Sequence, residues 1–84
     1  MPVNVASGTD AALVERLLLV VAQGTDDVLE KPPAAVNLTS LGTTSMLFEL
    51  AVWHLPLGPT RHELGSRLNM AIAKLLREQE IKSV

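Results

Sequence analysis

His54 and His62 are the two histidines of this chain, so they bound what metal or proton-transfer chemistry it can offer. A zinc site needs three or four converging ligands, and a general base needs a reacting group within hydrogen-bond reach. The two histidines are eight positions apart and fall on different elements, one at a strand end and one at a helix start. No third ligand accompanies them, and they read as surface residues. Asp26, Asp27 and Glu30 bring three carboxylates together. A calcium loop needs alternating ligands, which this run lacks, so it reads as a solvated turn. Ser7-Gly8-Thr9 has one glycine and no lysine, so it is not a phosphate loop. Ser40 and Ser45 have no histidine at a triad spacing and read as turn residues. The expectation is a non-enzyme with no catalytic residues, no cofactor and no metal.

Composition narrows the class further. The 84 residues allow one small domain, 1–84, which buries a limited share of its surface and leans on partners. Hydrophobic residues at 48 % and charged residues at 19 % indicate a globular chain rather than a disordered one. A net charge of −2, with no basic patch, argues against nucleic acid as a partner. Cysteine is absent, which removes disulfides and thiolate sites. The longest apolar run, Leu17 to Ala22, has six residues, against roughly 20 for a membrane span. The N-terminus lacks the basic start of a signal peptide. Any membrane link is expected to come from upstream segments missing here.

The elements that must position these residues follow from periodicity. Val3 and Val5 alternate with Asn4 as a first strand, Met1 to Ala6, and Asp10 is a helix N-cap. Leu13, Leu17, Val20 and Val21 predict a helix over Ala11 to Gln23 with that face inward and Gly24 as its C′ residue. Leu17-Leu18-Leu19-Val20-Val21 lacks basic flanks, so a core helix is preferred to a membrane-surface segment. Lys31-Pro32-Pro33 reads as an extended connection.

A hairpin comes next. Strand two runs from Val36 to Ser40, with Val36 and Leu38 inward and Asn37 and Thr39 outward. A turn at Gly42 to Ser45 leads to strand three, Met46 to about Leu55. There Met46, Phe48, Leu50 and Val52 face a core, and Leu47, Glu49, Ala51 and Trp53 face the other way. Strand three is the longest and is placed centrally. Thr60-Arg61-His62-Glu63 is a capping box, followed by a stripe of Leu64, Leu68, Ala71, Ile72, Leu75 and Leu76 through about Gln79. Glu80 to Val84 resumes alternation as a fourth strand that is cut off.

The order strand–helix–strand–strand–helix–strand is the ferredoxin-like βαββαβ pattern of an α+β domain. Two helices would cover one face of a four-stranded antiparallel sheet, with the last strand truncated. The other face would stay open, and it is semi-apolar, with Leu47, Trp53 and Leu55 beside a single charge. Within this architecture a metal-transfer domain would need paired cysteines. An RNA-binding one would need exposed aromatics and basic residues. A small-ligand regulatory domain stays open as an alternative.

One resemblance spans nearly the whole chain. Val3-Asn4-Val5-Ala6-Ser7-Gly8-Thr9-Asp10 and Val28-Leu29-Glu30-Lys31-Pro32-Pro33 resemble the C-terminal cytoplasmic domain of small-conductance mechanosensitive channels. The likeness is most specific over Leu41-Gly42-Thr43-Thr44-Ser45-Met46-Leu47-Phe48-Glu49-Leu50-Ala51-Val52-Trp53. It continues through Arg67-Leu68-Asn69-Met70-Ala71-Ile72 and Leu76-Arg77-Glu78 to Ile81. Thr43 stands where the family usually has an acidic residue, and Ser7 where an aromatic is common.

The resemblance implies a non-catalytic assembly domain of a tension-gated channel that releases ions and solutes on osmotic downshock. It implies a heptameric cage of identical subunits at the cytoplasmic face of the bacterial inner membrane, with the fragment itself soluble. Its subunit contacts are expected at Leu47, Glu49, Ala51, Trp53 and Ile81.

Overall fold

The computed structural model describes residues 1–81. In chain order these form strand β1 (Pro2–Ala6), helix α1 (Ala11–Gly24), strand β2 (Ala35–Leu41), strand β3 (Ser45–Ala51) and helix α2 (Arg61–Glu78). The sheet is antiparallel in the order β1-β3-β2, so β3 is central as expected, although at seven residues it is no longer than β2. Three strands and two helices make an α+β domain compatible with the ferredoxin-like type. The expected fourth strand begins at Glu80 and Ile81, which are not in a strand, and continues into 82–84, which lie outside the described residues.

Period 2 sets the core face. Val3 pairs with Phe48 and Val5 with Met46 across β1 and β3, and all four are buried with Leu50. Val14, Leu18, Val21 and Ala22 of α1, and Leu64, Leu68, Ile72 and Leu76 of α2, close over that face as one cluster. Leu64, Leu68, Ile72 and Leu76 follow one another at i+4, so their stripe holds together over four turns. No polar or charged side chain is buried among the described residues.

Helix starts behave as their caps require. Asp10 Oδ1 accepts from the amides of Ala12 at 3.0 Å and Leu13 at 3.4 Å. Thr60 Oγ1 accepts from the Glu63 amide at 3.1 Å, the forward half of the capping box. Among the described residues no bond returns from the Thr60 amide to the Glu63 carboxylate.

Several expectations are corrected. The inward face of α1 is turned by one residue. Val14, Leu18, Val21 and Ala22 are buried, Leu13 and Leu17 are half-buried, and Val20 is 55 % exposed. The helix is apolar nearly all round, so the same spacing fits two stripes about 100° apart, and the sheet decides between them. Gly24 belongs to the last turn and has no left-handed backbone. The end is satisfied instead by Thr25, whose Oγ1 donates to the Val21 carbonyl at 2.7 Å.

Strand β3 stops at Ala51, short of Leu55. Its partners run out there, because β1 begins at Pro2 opposite Glu49 and β2 begins at Ala35 opposite Ala51. Trp53 therefore lies beyond the sheet, and its carbonyl accepts from the Leu29 amide at 2.8 Å. In β2 a bulge falls between Leu38 and Ser40, so Ser40 rather than Thr39 stands opposite Leu47. Leu38 does share the face of Phe48, but on this edge strand it stays 44 % exposed.

Candidate functional site

The residues singled out for chemistry are not brought together. His54 is half-buried, with Nδ1 2.9 Å from the Leu55 carbonyl, and His62 is exposed on the first turn of α2. The two line different clefts. His54 shares with Arg61, Leu50, Leu64 and Leu68 the walls of a cleft of ≈ 340 Å³ beneath the start of α2, and His62 lies outside it. Asp27 is tied to Arg67 at 3.2 Å on the surface, which fits the solvated turn read from its sequence. Among the described residues no group of three His, Cys, Asp or Glu side chains is placed to hold a metal ion.

Among the described residues no helix covers the other face of the sheet. Both helices lie on the side of Phe48, so the alternate residues of β3 look outward. Leu47 stands between Asn4 of β1 and Ser40 of β2, and Glu49 between Pro2 and Asn37. Ala51 pairs with Ala35, and Ala6 with Ser45. The face is thus made of small or uncharged side chains around Leu47. Its one carboxylate, Glu49, receives the Met1 ammonium at 2.9 Å, and that ammonium also donates to the Leu50 carbonyl at 2.6 Å.

Of the five residues expected at subunit contacts, Leu47, Glu49 and Ala51 share this face. Trp53, 42 % exposed, sits just past its end. Ile81 lies elsewhere. Its amide donates to the Leu76 carbonyl at 2.9 Å, and its side chain packs against the domain's own core.

Sequence reasoning placed Leu55 on the open face of strand three and gave Leu57 no role, whereas both sit in the loop between β3 and α2. Leu55 is 61 % exposed and Leu57 is 86 % exposed. The available signal was two leucines set among Pro56, Gly58 and Pro59, in a segment whose breakers exclude a strand or helix. Apolar side chains held in such a loop stay at the surface, outside the core cluster.

No described helix is long and apolar enough to cross a membrane. No curated protein matches the chain. A family model does: the one described as mechanosensitive ion channel MscS, C-terminal, matches residues 1–83. That span takes in both helices, all three strands and the open face between them. By this match the chain belongs to the mechanosensitive ion channel MscS family, as its C-terminal domain.

Proposed function

We propose that this domain is a non-catalytic assembly module of a tension-gated channel, and that copies of it meet through the open face of the sheet. The family match over residues 1–83 supports the channel context. The single observation that carries the assembly role is the face itself. A sheet side built from Leu47, Ala51 and Ala35, with Glu49 as its single carboxylate among the described residues, has little to gain from water and little charge to desolvate. The number of copies is seven by resemblance. The parent channel is assigned to the bacterial inner membrane with this domain on the cytoplasmic side, where it supports release of ions and solutes on osmotic downshock.

The test is Trp53→Glu in the full-length channel. Trp53 lies at the rim of the face and outside the core, so the substitution should leave the domain folded while weakening association. The expected result is a smaller assembly and poorer survival of hypo-osmotic shock. A wild-type assembly together with wild-type survival would sink the proposal.

A further inference from the structure

We propose that copies of this chain associate head to tail, with the leucine-bearing loop between β3 and α2 of one copy seated on the open sheet face around Leu47 of the next. The inference rests on the reading above, that copies of the domain assemble into a ring. A ring of more than two identical subunits cannot be closed by one self-complementary patch. Each copy must present two different surfaces that fit one another.

The structure offers such a pair. One surface is the open sheet face, with Leu47 set between Asn4 and Ser40. The other projects, with Leu55 at 61 % and Leu57 at 86 % exposure. The loop that bears these leucines is stiff. Pro56 and Pro59 restrict it, Gly58 takes a φ of 109° that other residues rarely adopt, and the Leu29 amide anchors its root at the Trp53 carbonyl. A pre-shaped loop loses little freedom on docking.

Charge selects the seat. From Leu55 to Thr60 the loop carries no charged residue. Among the described residues the open face carries one carboxylate, Glu49. Loop on face therefore meets a single carboxylate, two residues along β3 from Leu47. The outer surfaces of the helices expose Glu15, Arg16, Lys74 and Arg77, and covering those with an uncharged loop would strand charges away from water. The loop leaves the sheet after Ala51, four residues beyond Leu47 and about 13 Å along the strand.

Because the chain has no cysteine, introduced thiols report on this contact without background. Leu47→Cys, Leu55→Cys and Leu57→Cys are placed, singly and in pairs, in the full-length channel freed of any other cysteine, and membranes are oxidised. Disulfides form where Cα atoms come within about 7 Å. The expected result is a covalent dimer when Leu47→Cys subunits are mixed with Leu55→Cys or Leu57→Cys subunits, and none from any single variant alone. A variant carrying both Leu47→Cys and a loop cysteine should give a ladder of larger products. Cross-linking of Leu47→Cys to itself would keep the face as a contact but overturn this pairing. Intact oligomers with no bond from Leu47→Cys to either loop position would also overturn it. A monomeric cysteine-free parent would instead overturn the ring reading beneath it, and the pairing with it.

Discussion

Leu47 and Phe48 are neighbours in β3 and face opposite sides of the sheet. Phe48 is 2 % exposed in the core beneath both helices, and Leu47 is half-buried on the face that no helix covers. One peptide bond separates a residue that holds the fold from one that the fold leaves available. The two should therefore respond differently to truncation. Phe48→Ala is expected to cost about 3–5 kcal/mol, enough to unfold much of a domain this small. Leu47→Ala is expected to cost about 1 kcal/mol or less. Urea unfolding of the two variants checks this, and equal losses would show that Leu47 is part of the core.

The two N-caps should each carry a measurable share of stability. Asp10 accepts two amides of α1, and Thr60 accepts one of α2. Asp10→Ala and Thr60→Ala are each expected to lower stability by about 1 kcal/mol. Thermal unfolding followed by helical circular dichroism measures it. No change for either would mean that packing alone sets where the helices begin.

The ion pair of Asp27 with Arg67 should matter little. Its side chains are 47 % and 45 % exposed, so water and salt screen it. Arg67→Ala is expected to change stability by less than about 1 kcal/mol. A double-mutant cycle with Asp27→Ala gives the coupling, and a value above about 2 kcal/mol would contradict this account of the turn.

Gly8 sets the link from β1 to α1, with a φ of 92° that side chains other than glycine seldom adopt. No atom crowds the position, so any cost is conformational. Gly8→Ala is expected to cost about 1–2 kcal/mol. Chemical denaturation of that variant would show it, and a stability gain would mean that the turn adopts another backbone.

Trp53 is the one tryptophan, and it is a natural reporter at the rim of the face. Its emission should shift to the blue on assembly, as its exposed ring leaves water. Titration with free amino acids or nucleotides should leave the emission unchanged. A saturable response to one of them would favour the alternative of a small-ligand regulatory domain.

Much of this architecture is legible in the residues. The alternation of Val3, Val5, Met46, Phe48 and Leu50 gives the core face of the sheet, and Leu64 to Leu76 gives the buried stripe of α2. The caps at Asp10 and Thr60 are local side-chain chemistry and can be read without the fold. What stayed hidden depends on distant partners. The inward face of α1 is ambiguous because Leu13, Leu17 and Val20 make as good a stripe as Val14, Leu18 and Val21. The end of β3 is fixed by where β1 and β2 begin, which no pattern within β3 records. The bulge that puts Ser40 beside Leu47 is likewise a property of the pair of strands. The open face was legible as period 2, with Leu55 read onto it; that Leu55 and Leu57 stand instead in an exposed loop needed the structure.

The central claim is that the face around Leu47 holds copies together without holding the domain together. The most direct measurement is the mass of the solubilised full-length channel carrying Leu47→Glu, read by analytical ultracentrifugation beside circular dichroism of the same protein. The account predicts wild-type secondary structure with an assembly that has fallen to smaller species. A Leu47→Glu channel with the full wild-type mass would contradict it.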